Sequence, residues 1–174
     1  VELTTTVSGD VVADSVMATG DRITVTSAGS ILEAADADGE ADLTAYELDL
    51  NAASGIHGGP ALEVDATLIA ADTAGGDIVL TNLNMADAAV TASTLTTGTG
   101  DIDFVQVQGD LTIAVSGTAD GNIAVSVAGG TLAVGTMTAG GEGSTVLLTT
   151  ADGAMALDYV EADGDVTLRS AGMI

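Results

Sequence analysis

Short runs in which every second residue is aliphatic recur along the whole chain. RITVT, IVLTN, IDFVQV, LTIAV, NIAVSV and VTLRS alternate aliphatic residues with small or polar ones, the two-residue period of a strand with one buried face. Turning the aliphatic set inward predicts a core of Ile23, Val25, Ile78, Leu80, Leu111, Ile113, Ile123, Val125, Leu132, Val134, Val146, Leu148, Val166 and Leu168.

Gly-Asp pairs at 9–10, 20–21, 76–77, 100–101, 109–110 and 164–165 punctuate these runs, and most lead directly into one. Glycine supplies the positive φ of a tight turn, and aspartate is expected to cap its own backbone there. Taking Asp21, Ala41, Ala61, Asp77, Asp101, Asn122, Ser144 and Asp165 as unit starts gives a repeat of roughly 21 residues, too short to fold alone. The prediction is an all-β chain: a parallel β-helix, or β-solenoid, of about eight coils, with residues 1–174 as one continuous segment. A β-sandwich would not require so fixed a unit, and 23 glycines with abundant Thr and Val oppose a helical repeat. The stretch SILEAADADGEADLTAYELDLNAAS fits strands least well, since its Ala, Leu and Glu suit a helical turn or two.

A longer period overlies the short one. Residues 11–21 align with 155–165, and after a one-residue deletion 24–31 align with 167–174, giving ten identities over nineteen positions. Asp14, Val16, Ala18, Gly20 and Asp21 match Asp158, Val160, Ala162, Gly164 and Asp165, and DRITVTSAGSI returns as DVTLRSAGMI. The chain therefore reads as one super-repeat of about 144 residues plus an overlap. Neither end has the polar character of a solenoid cap, so a longer array, or copies stacked end to end, is expected.

Composition sharpens the setting. The chain is 47% hydrophobic, which opposes a disordered acidic tail, yet carries 26 acidic residues against Arg22 and Arg169, for a net charge of -24. Nucleic acid is excluded as a partner because phosphate binding depends on cationic side chains, and an anionic membrane surface is disfavoured for the same reason. Such a surface holds water and metal cations and tolerates salt. With no cysteine there is no disulfide or thiolate site. No run approaches the ~20 apolar residues of a membrane span.

The ordered series from GDRITVTSAGSI through ADLTAYELDLNAASGIHGGPALEVDATLIAADTAGGDIVLTN resembles the repeats of filamentous-haemagglutinin-like giant bacterial surface proteins. The resemblance extends over nearly the whole chain and is strongest from Gly20 to Asn82. It implies a right-handed parallel β-helix, secretion to the cell surface, and a role in adhesion or in an extracellular fibre. The secretion-domain signature of that family is absent from these residues.

Candidate chemistry is sparse. Asp36, Asp38, Glu40 and Asp42 in DADGEAD, with Glu33 before them, are read as a calcium loop, since alternating carboxylates around a glycine can offer several oxygens to a hard cation. The alternative is a solvated loop between coils, because the EF-hand spacing is missing. In GTGDIDF, Gly98, Gly100 and Asp101 resemble one fragment of a calcium nonapeptide but are expected to be turn residues. His57 in SGIHGGP lacks a nucleophile and a fixed acid nearby, so it reads as a corner residue, and Pro60 should mark a turn or the start of a strand. Asp101 and Asp103 are the sole carboxylate pair considered for glycoside chemistry, and the Thr-rich runs raise an ice-binding face, yet no catalytic function is expected. The expected function is an extracellular structural or adhesive rod, acting as spacer or fibre subunit, with its own copies as partners. A calcium-dependent glycan- or receptor-binding module is the alternative, with no other cofactor required.

Overall fold

The computed structural model describes residues 1–34, 39–57 and 60–174. Among these residues there are sixteen strands and no helix, from Glu2–Thr4 to Val166–Ser170. Every strand pairing is parallel, and the strands stack into a β-solenoid of about 8 turns, ~22 residues apart.

One coil shows how the sequence makes the shape. Ile102–Gln106 forms a first face, with Ile102, Phe104 and Gln106 inward. After a turn, Leu111–Thr118 supplies two faces, because Ala114 and Val115 both point out and reset the alternation between Ile113 and Ser116. Two outward residues in succession bend the strand into a corner without a loop, so each coil is three-sided. The next coil, Ile123–Val127 with Leu132–Ala139, repeats the pattern residue for residue.

The rungs run the length of the stack. On the first face Val11, Ile31, Ile56, Ile78, Ile102, Ile123, Val146 and Val166 are successive neighbours. On the third, the series is Leu3, Val25, Leu50, Ala71, Leu95, Ser116, Met137 and Val160. Stability of such a stack comes from each coil burying aliphatic surface against its neighbours. Of the fourteen predicted core residues all are buried except Val166 and Leu168, which lie on the last coil and are covered from one side.

Two expectations change. The predicted starts Asp21, Ala41 and Ala61 fall out of phase, because the first-face rungs there are Val11, Ile31 and Ile56. Relative to the step from Ile102 to Leu111, the step from first to second face is shortened between Val11 and Val16 and lengthened by an insertion between Ile31 and Leu43, and a count of spacings absorbs both silently. The stretch from Ser30 to Ala52 has Ser30–Glu33 and Leu43–Ala52 as strands, not helix. β-Branched Ile31 and the alternation of Leu43, Ala45, Leu48 and Leu50 decide this against helix propensity.

The corner aspartates also act differently from expectation. Asp10 accepts from Ser30 N at 2.7 Å, Asp77 from Asp101 N at 2.8 Å, Asp101 from Asn122 N at 2.7 Å and Asp110 from Thr131 N at 2.8 Å. Each carboxylate thus serves the coil above rather than its own turn. Glycine is required beside them: at Gly76, φ is 80° and a Cβ would overlap the Ser54 carbonyl oxygen of the coil below.

Among the described residues the ladder changes partner at a seam. Leu62–Val64 pairs upward with Leu80–Asn82, while Val64–Ala66 pairs downward with Leu43–Ala45, and strand pairing with the coil above resumes at Leu68. At Ala66, which has no strand above it, the side chain of Asn82 takes the place of backbone. Asn82 Nδ2 also donates to Gln106 Oε1 at 3.0 Å, and both side chains are fully buried.

The super-repeat is not a whole number of coils. Val11, Val16 and Thr24 lie on the first, second and third faces, whereas their counterparts Met155, Val160 and Thr167 lie on the second, third and first. Locally the two copies also differ: Gly20-Asp21 lies in a bulge within the continuous strand Val16–Ser27, whereas Gly164-Asp165 lies in the turn between Met155–Ala162 and Val166–Ser170.

Candidate functional site

The predicted calcium residues are only partly brought into view. Asp36 and Asp38 lie outside the described residues. Glu40 is exposed, whereas Asp42 is buried and its Oδ2 accepts the backbone N–H of Glu63 at 3.1 Å. Glu63, which sequence reasoning missed, is also buried, and its Oε2 accepts from Gly39 N at 3.1 Å. Asp42 and Glu63 therefore tie the insertion to the coil above. Among the described residues no group of three or more His, Asp or Glu is placed to hold a metal ion.

The remaining candidates sit on corners or outer rows. Gly98 and Gly100 are turn residues pressed against the Ala74 and Gly76 backbone of the preceding coil. His57 is half-buried, its backbone N–H bonded to Ile31 O at 2.9 Å, and Pro60 sits in a bend just before Leu62–Thr73. Asp101 is committed to Asn122, through Nδ2 at 3.1 Å as well as through its backbone amide. Asp103 lies on the outer row between Val79 and Ala124. Its carboxyl is raised above the usual range, first by lost hydration along the sheet and then by the charge of Asp101. Threonine stacks only in short pieces, outward as Thr4 on Thr26 and Thr91 on Thr112 and inward as Thr73, Thr97 and Thr118, while the outward rows read on as Thr24, Asp49, Ala70, Thr94 and Thr26, Asn51, Asp72, Thr96.

The seam produces a different feature. Between Ala18 and Arg22 the chain bulges, so that Thr19, Gly20 and Asp21 stand opposite the single residue Tyr46. One coil higher, Thr67 follows Ala66 where pairing above is interrupted, and Asn84 and Ala86 of the following loop form the upper edge. The result is a groove of about 200 Å³ lined by Thr44, Tyr46, Asp65, Thr67, Asn84 and the bulge. Tyr46 is 50% exposed, Asp65 accepts from Met85 N at 3.0 Å, and the exposed Met17 is the cross-strand partner of Thr44.

Charge around the groove is negative. Arg22, the nearest cation along the chain, is ion-paired with Asp49 and lies 3.6 Å from Glu47. A larger hollow of about 530 Å³ lies over the corner of Gln108, Gly109, Asp110 and Gly130, but it offers no aromatic and is walled by turn backbone. No single word of the sequence marks the Tyr46 groove, because its walls come from the first four coils; an isolated tyrosine in an aromatic-poor chain was the one available signal.

Comparison with family models, with curated proteins and with solved structures gives no match. The fold itself defines the class: a parallel β-solenoid repeat protein, acidic outside and aliphatic within.

Proposed function

We propose that this chain is a segment of an extracellular structural or adhesive rod, a spacer or fibre-forming unit of a filamentous-haemagglutinin-like surface protein. The observation that carries the reading is the return of the sequence of residues 11–31 at 155–174, within one continuous parallel solenoid. A unit that ends by restating its beginning can be continued along the same parallel ladder, by tandem repetition or by stacking of copies. The dense acidic surface keeps such a rod hydrated and separate from its neighbours. Its mechanism is additive: each coil contributes parallel hydrogen bonds at ~4.8 Å spacing, so eight coils span on the order of 40 Å.

The test is the mass of the native polypeptide from its source under denaturing conditions, with surface exposure probed by protease treatment of intact cells. Masses far above 16.9 kDa, released by external protease, are expected. A polypeptide of 16.9 kDa protected inside the cell and sedimenting as a compact monomer would overturn the reading.

A further inference from the structure

The groove under Tyr46 differs from the surroundings of the other exposed tyrosine, Tyr159, whose hydroxyl is already bonded to the Glu161 carboxylate and which lines none of the hollows described above. It has an exposed aromatic ring, a carboxylate one strand above it, and two exposed thioethers at its margin. Thr44 is paired with Asp65, and Tyr46 lies two residues beyond Thr44, so the ring and the carboxylate are diagonal neighbours on one surface. Met17 flanks Thr44 from below, and Met85 is held beside Asp65 by its own amide.

We propose that this groove binds the side chain of a lysine presented by a basic polypeptide partner. An alkylammonium has a charged head and an apolar stem, and the groove has a counterpart for each. The ammonium sits against the Asp65 carboxylate and the face of the Tyr46 ring, whose negative quadrupole attracts cations. The four-carbon stem runs down from Asp65 over Thr44 toward Met17, since a thioether is polarizable and adapts to an irregular apolar shape. Charge complementarity decides against a neutral sugar as occupant. Net charge is -24, Arg22 is already paired, and Asp21 stands exposed in the bulge, so the field at the groove favours a cation. The proposal stands apart from the rod reading, because it concerns one coil surface whatever the length of the molecule.

The experiment is a nuclear magnetic resonance titration of the full chain with the capped peptide Gly-Gly-Lys-Gly-Gly, and with the same peptide carrying norleucine in place of lysine. Expected are saturable shifts confined to the amides of Gly20, Tyr46, Asp65 and Thr67 with the lysine peptide and none with norleucine. Tyr46→Ala and Asp65→Asn should each weaken binding two- to fivefold, the range for exposed cation–π and ion-pair contacts. Tyr46→Phe, which keeps the ring, should bind as the parent does, and Asp152→Asn, which removes one remote exposed charge, should change nothing. Shifts spread over all acidic corners, or equal weakening by Asp152→Asn, would reduce the effect to general polyanion character and overturn the site. Equal binding of the norleucine peptide, or saturation of the groove by a neutral oligosaccharide instead, would overturn the ligand class.

Discussion

The side-chain amide of Asn82 hydrogen-bonds both backbone groups of Ala66, accepting from its N–H at 3.1 Å and donating to its carbonyl oxygen at 3.0 Å. A side chain here imitates a strand residue. It does so where the coils change register, which is where the ordinary ladder leaves a backbone donor and acceptor unserved. Unserved backbone groups in a core are costly, so the seam is possible only because a carboxamide offers one donor and one acceptor in the same plane.

Replacing Asn82 by alanine should accordingly be among the more damaging single substitutions in the chain. It strands Ala66 N–H, Ala66 C=O and Gln106 Oε1 together, and each buried unpaired group costs about 1–3 kcal/mol. A loss of at least ~3 kcal/mol is expected in urea denaturation, the midpoint falling well below that of the parent. Asn82→Asp should be as harmful above the carboxylate range, since it cannot donate to Ala66.

Ser116 presents the opposite case. It occupies a third-face rung between Leu95 and Met137, and its Oγ is buried with no hydrogen-bond partner. Ser116→Ala removes a desolvated hydroxyl at little cost in volume, and should stabilise the chain by about 1 kcal/mol. A higher thermal midpoint, read by circular dichroism, is the expected result, and a lower one would mean that the hydroxyl has a partner.

Two aspartates should give pH dependences of opposite sign. The Asp110 carboxyl is held below its ordinary 3.8 by the Thr131 N–H and then the Thr131 hydroxyl. Its contribution is complete above the unfolded value and is lost as pH falls through the folded one. Asp103 is raised above 3.8, so its folded form prefers the proton, and stability declines as pH rises from the unfolded value through the folded one. Asp103→Asn should therefore raise the melting temperature at neutral pH and leave it unchanged well below pH 3.8. Thr131→Val, which deletes the hydroxyl donor, should flatten the acid limb of the melting curve.

These residues also mark what the sequence could convey. Ile78, Ile102 and Ile123 begin alternating runs after a turn, so their inward position and mutual stacking were readable from local pattern alone. The first three coils were misphased because the step from first to second face is short from Val11 to Val16 and long from Ile31 to Leu43, and an insertion inside a coil has the same polar and glycine-rich character as a turn between coils. The bonds of Asp77 and Asp101 to the next coil were unreadable for another reason. Their partners lie 24 and 21 residues away, and no local rule connects them. Of the acidic loop, Asp42 shows why a carboxylate pattern is ambiguous: it faces inward to the ladder while Glu40, two residues before it, is exposed. The groove at Tyr46 depends on a three-residue bulge and an interrupted strand meeting, which no single stretch encodes.

The one-face offset between the super-repeat and the coil count has a geometric outcome for any array built from this unit. Each successive unit is turned by a third of a revolution about the long axis, so equivalent residues trace a screw and recover their starting azimuth only at the fourth unit. A marker such as Tyr46, confined to one side of a single unit, is thereby distributed around the whole circumference. An array of this kind has no front or back, and a surface approaching from any direction meets the same features at a regular axial interval.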